Sequence, residues 1–196
     1  MRIGLDFDGT IADTNAVKSD WIKVELGMHV PPYLCDRTSA VPIIGDENYR
    51  RMREQVYSEK NTSQFVPVTG LDAALTEMSL HSEFLLVTAR GNLKLVRAWL
   101  KSHGFLERIQ MSDQPSNHLK KLEICRAFGI DLLVDDDSRH LPSSSEGAIH
   151  GVLFKPGSPS SYRVGDLPIC RSWEAVAEFA TMLNQRLGRT KGILRE

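Results

Sequence analysis

The chain has 196 residues, 41% hydrophobic and 25% charged, and its 24 basic residues nearly balance 25 acidic ones for a net charge of -1. These values predict a soluble globular protein with a sizeable core, and they exclude a strong preference for nucleic acid polymers or anionic membranes. We therefore expect a small-molecule partner. The three cysteines are scattered, and no apolar stretch approaches the ~20 residues of a membrane span, so a cytoplasmic protein with reduced thiols is predicted. The sequence carries no signal for an oligomeric state.

The chain begins with a predicted buried strand that ends in two carboxylates. An apolar run from Arg2 leads directly into Asp6, Asp8, Gly9 and Thr10. Residues two apart on a strand point the same way, and a glycine lets the backbone curl around whatever the carboxylates hold. Taken alone, the Asp-Gly pair is equally compatible with an ordinary hairpin turn.

A helical region follows the first strand. One helix is predicted from 13 to 27, with Thr14 as its N-cap, and a second from 46 to 60. The apolar face of the first helix is expected to hold Val17, Trp21, Val24 and Met28. The apolar face of the second is expected to hold Tyr49, Met52 and Val56. Residues 14–64, called the insert below, are therefore predicted to form a small all-helical unit.

From residue 65 onwards, short apolar runs alternate with helical patterns. The predicted strands cover residues 84–87, 109–111, 132–134, 151–154 and 168–170. The helices between and after them are expected to bury Leu71, Leu75, Met78, Val96, Trp99, Leu100, His103, Leu122, Cys125, Phe128, Trp173, Val176, Ala180 and Leu183. Continuous apolar strands joined by helices favour a parallel sheet covered on both faces. We predict an α/β fold, a doubly wound parallel sheet formed by residues 1–13 and 65–196, with the insert as a separate helical domain.

Residues that could take part in catalysis or bind a metal ion follow three of the predicted strands. Asp6 and Asp8 end the first, Thr88 and Arg90 end the second, and the aspartates at 135–137 end the strand in LLVDDD. Ligands bind outside the C-terminal ends of parallel strands, so these groups are expected to meet. Crowded carboxylates repel one another unless a cation lies among them, and an all-oxygen donor set suits Mg²⁺. Each motif by itself is more typical of a solvated loop or a helix N-cap, but their joint placement favours a site.

Four motifs stand in an order that resembles the haloacid dehalogenase-like (HAD) hydrolases, which are mostly magnesium-dependent phosphatases. The motifs are DFDGT, VTAR, KLEICRAFGID and LLVDDD. The resemblance implies a HAD-like, Rossmann-type core. It also implies Asp6 as the nucleophile and Asp8 as the general acid and base. Thr88 and Lys121 would hold the phosphoryl oxygens.

The resemblance further implies a metal site and a phosphate cradle. Mg²⁺ would lie on Asp6, Asp136 and the backbone carbonyl of Asp8, with Asp135 and Asp137 in the surrounding layer. The remaining residues expected to contact substrate or phosphate are Gly9, Thr10, Ala89 and Arg90.

Two assignments of basic residues have alternative interpretations. The phosphate-binding lysine is assigned to Lys121 rather than Lys120 because of its distance from the LLVDDD motif. Arg90 is compatible with a contact to substrate and equally with an ion pair to Asp135 or Asp137.

These residues favour a magnesium-dependent phosphomonoester hydrolase that acts through an aspartyl phosphate, because a carboxylate nucleophile divides a difficult hydrolysis into two easier steps. Dehalogenase-type members lack the second acid, which is present here. VTAR and a helix ending in WLKSHGF are similar to the 5'(3')-deoxyribonucleotidase-like branch, and the insert lies where the family places its small cap.

A 5'-nucleotidase is therefore the leading substrate hypothesis. The aromatic residues of the insert that could stack a nucleobase are Trp21, Tyr33, Tyr49 and Tyr57; otherwise they would form its core. One alternative is a phosphatase for sugar phosphates or other small phosphomonoesters. The other is a non-catalytic binding module with the same fold.

Overall fold

The structure, a computed structural model, describes residues 1–111, 121–142 and 149–188, so Lys120 lies outside the described residues. The strands are β1 (Arg2–Leu5), β2 (Glu83–Leu86), β3 (Ile109–Met111), β4 (Leu132–Asp135), β5 (His150–Phe154) and β6 (Ile169–Cys170). The α-helices are α1 (Thr14–Leu26), α2 (Arg37–Ile44), α3 (Asp46–Val56), α4 (Glu59–Thr62), α5 (Leu71–Met78), α6 (Leu93–Ser102), α7 (Lys121–Ala127) and α8 (Trp173–Arg186). Among these helices, none combines the length and the apolar character needed to cross a membrane.

The strands of the described residues form one parallel sheet in the order β3-β2-β1-β4-β5-β6. In the centre, Leu5 of β1 lies opposite Leu86 of β2 on one side and Val134 of β4 on the other. This is the strand order of a Rossmann-type doubly wound sheet, in which the direction of winding reverses between β1 and β4. The predicted α/β class and parallel sheet are confirmed. A ligand site is expected outside the C-terminal ends of these two central strands.

Buried apolar side chains form two clusters, and successive residues of β4 alternate between them. Leu132 and Val134 pack in the larger cluster, whereas Leu133 packs in the smaller one. Because side chains alternate across a strand, the clusters lie on opposite faces of the sheet. The predicted inward faces of α5 and α8 are buried as expected. Phe128, just after α7, was expected to be buried, but it is 42% exposed.

The insert contains more helices than the sequence pattern indicated. The predicted helix over 46–60 ends at Val56, and Ser58 then starts α4 by accepting a hydrogen bond from the backbone N–H of Asn61. The unpredicted α2 has Asp36 as its N-cap and carries Pro42 inside it. Proline is normally disfavoured inside a helix, and no helix was predicted between residues 28 and 45.

The buried face of α1 is only in part the apolar one predicted, because Val17 and Trp21 pack against the core and are only partly buried. Val24 is 78% and Met28 37% exposed. The buried residues of the helix are Thr14, Asn15, Lys18 and Ile22. Asp13, rather than Thr14, caps the helix through its side chain. The apolar periodicity missed the most buried positions because the polar side chains of Asn15 and Lys18 are buried near the strand ends described next.

Candidate active site

The turn after β1 brings the backbone close to two side chains. The N–H groups of Ile11 and Ala12 both donate to the carbonyl of Phe7, at 3.1 and 2.9 Å. Gly9 has a φ of +76°, and a Cβ there would lie 2.3 Å from both Asn15 Nδ2 and Asp136 Oδ2. Glycine is therefore required at position 9 for two reasons: the backbone has a positive φ, and a side chain would clash with Asn15 and Asp136.

Lys121 joins the ends of the two central strands. Its Nζ donates to Asp6 at 2.8 Å and to Asp135 at 2.6 Å, and its side chain is fully buried. Asp135 also accepts a hydrogen bond from the backbone N–H of Asp137 at 2.9 Å and lies 3.2 Å from His140 Nδ1. A buried ammonium is thereby held next to Asp6, where it could bind an anion.

A polar relay from α1 reaches Asp136. Asn15 Nδ2 donates to Asp136 Oδ2 at 2.7 Å, and Lys18 Nζ donates to Asn15 Oδ1 at 2.9 Å. All three residues are buried. Asn15 and Lys18 were not among the residues predicted for the site. Their only signal was a spacing of three residues on the helix that follows the turn after β1.

Three buried carboxylates could hold a metal ion. Asp6, Asp135 and Asp136 each offer an oxygen, and these atoms lie within 4.8 Å of one another. Burial raises the pKa of Asp136 to about 8 and that of Asp6 to about 6, although nearby lysines partly oppose both shifts. A divalent cation would offset the crowded charge, and an all-carboxylate donor set is what Mg²⁺ prefers. The residues present therefore fit Mg²⁺.

Arg90 forms an ion pair with Asp8, the second aspartate of the DFDGT motif. Its guanidinium donates from Nε and Nη2 to the two carboxylate oxygens of Asp8 at 2.8 and 2.7 Å. Its Nη1 donates to Thr62 Oγ1 in the insert at 2.7 Å, and its Cζ lies 4.2 Å from the ring centroid of Tyr57. The ion pair that the sequence analysis considered for Arg90, with Asp135 or Asp137, is thus made with Asp8 instead.

Known structures share this arrangement of strands and helices. No protein-family model and no curated protein sequence matches the chain. A HAD-superfamily hydrolase from Ehrlichia chaffeensis is 13% identical, with a TM-score of 0.54 over 93% of this chain and 96% of that one. A predicted phosphatase from Clostridium acetobutylicum is 13% identical, with a TM-score of 0.62 over 92% and 98%. Protein Tyrosine Kinase A of Mycobacterium tuberculosis is 14% identical, with a TM-score of 0.61 over 91% and 97%.

The chain has the HAD-like fold. The fold that the four motifs implied is therefore confirmed. At these low identities the similarity extends to the fold alone, and proteins described as a phosphatase and as a kinase both share it. A HAD-like fold does not by itself specify an activity, so the activity has to be argued from the site.

Asp137 follows the end of β4 and has its own partners. Arg139 donates to both of its carboxylate oxygens, and Thr38 Oγ1 donates to one of them at 2.7 Å. Although burial alone would raise it, the pKa of Asp137 is held below its usual range by these hydrogen bonds. Both oxygens of the Asp137 carboxylate therefore already accept hydrogen bonds from side chains of the protein.

The remaining residues predicted for the phosphate cradle surround the turn. Thr88 is buried, and its Oγ1 accepts a hydrogen bond from the backbone N–H of Arg90 at 3.2 Å. Ala89 lines the cavity beside it. Thr10 is fully buried, and its hydroxyl has no hydrogen-bond partner among the described residues. Their contacts with a phosphate stay a prediction.

A cavity of about 280 Å³ opens outside the strand ends. The core contributes to its wall Asp6, Asp8, Ala89, Arg90, Lys121 and Asp136. The insert contributes Lys18, Arg37, Tyr49, Arg53 and Tyr57. Of the other two aromatic residues considered for base stacking, Trp21 donates from Nε1 to Gln55 at 2.6 Å, and Tyr33 packs edge-on against Tyr162.

Proposed function

We propose that this chain is a Mg²⁺-dependent phosphomonoester hydrolase whose reaction passes through a phosphorylated Asp6. The observation that carries the proposal is the position of Asp6. Its carboxylate lines the cavity, lies 2.8 Å from the buried ammonium of Lys121 and shares a possible metal site with Asp136. Solved structures with the same fold include proteins described as a hydrolase and a phosphatase, which supports the same reaction class.

In the first step a carboxylate oxygen of Asp6 attacks the phosphorus atom, and the bond to the leaving oxygen breaks. Both Asp8 oxygens accept from Arg90 in the structure, so one of these hydrogen bonds opens and the freed oxygen carries the proton that Asp8 gives to the leaving oxygen. Lys121 binds the equatorial phosphoryl oxygens and offsets the charge that develops on them. A bound Mg²⁺, held chiefly by Asp6 and Asp136, would supply further positive charge at the same oxygens.

In the second step a water molecule attacks the phosphorus atom of the acyl phosphate. Asp8 now accepts the proton of that water, and the bond from phosphorus to the Asp6 oxygen breaks. Inorganic phosphate leaves, and both carboxyl groups return to their starting states. The same aspartate serves as acid and then as base because it faces the leaving oxygen first and the attacking water afterwards.

We further propose that the insert is a cap that closes over this site. Thr62 and Tyr57, at its C-terminal end, both contact Arg90 of the core. Lys18, near its start, reaches the carboxylate of Asp136 through Asn15. Such a cover would exclude water from the phosphorylated enzyme until the leaving group has departed.

The activity is tested with an aryl phosphate in the presence and absence of Mg²⁺. Wild-type protein is expected to turn over only with the metal, and Asp6→Asn is expected to lose on the order of 10³-fold or more, because no covalent intermediate can form. Asp20→Asn, at an exposed position of α1, is the matched control. If folded Asp6→Asn keeps more than a tenth of the activity, the assignment of Asp6 as the nucleophile is wrong. If the wild-type protein is inactive, the alternative of a non-catalytic binding module is favoured.

A nucleoside monophosphate is one candidate substrate, because Tyr49 and Tyr57 line the cavity. Stacking of a base is worth roughly 1–3 kcal/mol, or about 5- to 150-fold in kcat/KM if it persists in the transition state. Tyr49→Ala should then weaken nucleotide turnover and spare an aryl phosphate. Tyr33→Ala, on a ring that packs against Tyr162, is the control. If a sugar phosphate is the best substrate of the panel, or if Tyr49→Ala affects every substrate alike, the nucleotidase hypothesis fails and the phosphatase survives.

A further inference from the structure

Lys18 is a buried cation with no carboxylate partner of its own among the described residues. Its side chain lines the cavity, although the residue is only 2% exposed. Its ammonium donates to the amide oxygen of Asn15 at 2.9 Å, and that is its one hydrogen bond to the described residues. An ammonium has three donors, and a buried charge is costly unless it is paired. The remaining donors are therefore available to an anion that enters the cavity.

The acidic residues around the cavity do not supply that anion. The carboxylates that already have a cationic partner are Asp8 with Arg90, Asp135 with Lys121, Asp137 with Arg139 and Asp36 with Lys155. Asp6 is also paired with Lys121, at 2.8 Å, so Asp136 remains without an ion pair among the described residues, and a divalent cation would offset its charge. With Mg²⁺ bound, each of these carboxylates would have a cationic partner other than Lys18.

Lys18 stays charged in this environment. Burial alone would lower the pKa of its ammonium, but nearby tyrosines and the carboxylates of Asp136 and Asp8 raise it well above the ordinary value. The direction of this shift favours the charged form of the side chain in the cavity wall.

A second cation lies near the same aromatic ring. Lys18 Nζ lies 5.6 Å, and Arg53 Cζ 5.5 Å, from the ring centroid of Tyr57. Arg53 is exposed, lines the cavity and has no ion pair with any carboxylate of the described residues. Arg90 also lies over this ring, at 4.2 Å, so three cations surround Tyr57 and compete with any nucleobase for contact with its ring. The surroundings of the ring suit an anionic group better than a neutral base.

We propose that Lys18 and Arg53 form an anion subsite for the leaving group, so that the substrate is a small phosphomonoester carrying a second negative group, a carboxylate or a second phosphate. The inference rests on the proposed function, because it presupposes that the phosphoryl group lies against Asp6. Lys18 lies one turn of α1 beyond Asn15, which contacts Asp136. The subsite is therefore next to the reaction centre but on the side of the insert.

The test compares kcat/KM, with Mg²⁺, for matched pairs of substrates. Glycerol 3-phosphate against 3-phosphoglycerate tests a carboxylate, and fructose 6-phosphate against fructose 1,6-bisphosphate tests a second phosphate. At least one anionic member should be preferred by about 10- to 100-fold, the range of a charged hydrogen bond. Lys18→Met and Arg53→Gln should each reduce that preference, chiefly through KM. Lys23→Met, at an exposed position on the same helix, should leave it unchanged.

Equal rates within both pairs, or a preference for the neutral members, would overturn the subsite. A loss in Lys18→Met that is the same for both members of a pair would also overturn it, because Lys18 would then serve the phosphoryl group or the fold. If Lys18→Met does not fold, the subsite is tested with Arg53→Gln alone, because Arg53 is exposed. If no phosphomonoester is hydrolysed, the proposed function fails, and the subsite is tested by the shift in melting temperature with malonate. That shift should be smaller in Arg53→Gln, and an equal shift contradicts the subsite.

Discussion

Arg90 holds both carboxylate oxygens of Asp8, at 2.8 and 2.7 Å, and also donates to Thr62 of the insert at 2.7 Å. A bidentate guanidinium fixes the plane of a carboxylate as well as its position. The proposed acid is thereby oriented by a side chain that also contacts the insert. Arg90 is a positioning residue in this arrangement, since it reaches the leaving group through Asp8.

Replacing Arg90 should impair the leaving-group step most. Lysine is a point charge without the planar fork, so Arg90→Lys should lower kcat by up to the ~10²- to 10⁴-fold that general acid catalysis contributes. The loss should be large with phenyl phosphate and small with 2,4-dinitrophenyl phosphate, whose leaving group needs no proton. Arg108→Lys, which alters an ion pair with the exposed Asp72, is the control. A loss of the same size across the series would show that Arg90 does not act through Asp8.

Asp136 and Asp137 should differ sharply in their effect on Mg²⁺ dependence. Asp136 belongs to the buried carboxylate group, whereas the oxygens of Asp137 are already bound by Arg139 and Thr38. Asp136→Ala should therefore raise the Mg²⁺ concentration for half-maximal activity far more than Asp137→Ala. Stabilisation by Mg²⁺ in a thermal melt should be lost only in the first variant. Equal effects of the two changes, or full turnover in excess chelator, would contradict the assignment.

Gly9→Ala should destabilise the protein more than a comparable glycine replacement elsewhere. A Cβ at Gly9 would approach Asn15 and Asp136 at 2.3 Å, in addition to the cost of a left-handed backbone. Gly27 has a similar φ of +64° with nothing within 4 Å, so Gly27→Ala measures the backbone cost alone. The difference between the two free energies of unfolding, from urea denaturation, should reach about 1–3 kcal/mol, the usual cost of overpacking. If the two variants lose equal stability, the close approach at Gly9 is not limiting.

The ion pair between Asp36 and Lys155 should link the insert to the core. Both side chains are only 2% exposed. Lys155→Met would leave a buried carboxylate unpaired, which costs about 3–5 kcal/mol of unfolding free energy. Adding Asp36→Asn, which removes the charge and keeps a side chain able to cap α2, should restore part of that loss. Simple additivity of the two single variants would contradict a direct pair.

The sequence alone determined the sheet and the positions of the catalytic candidates along it. The runs at 84–87 and 132–134 are continuous and apolar, and such strands are stable only when both faces are covered. Parallel strands end at one edge of a sheet, so Asp6, Asp8 and the aspartates after β4 were predicted to meet there. Lys121 was assigned to the same region because of its distance from the LLVDDD motif. The meeting of the strand ends needed only local pattern and the geometry of parallel strands, whereas the role given to Lys121 rested on the resemblance to the HAD-like hydrolases.

Only the tertiary structure decided which partner each polar side chain has. Arg90 pairs with Asp8, 82 positions away, and Asn15 with Asp136, 121 positions away. Such contacts depend on the register of the strands and on how the insert packs, which no local pattern encodes. The buried face of α1 was predicted only in part for a related reason. Apolar periodicity assumes that polar residues face water, and Asn15 and Lys18 are instead buried because Asp136 gives Asn15, and Asn15 gives Lys18, a hydrogen-bond partner.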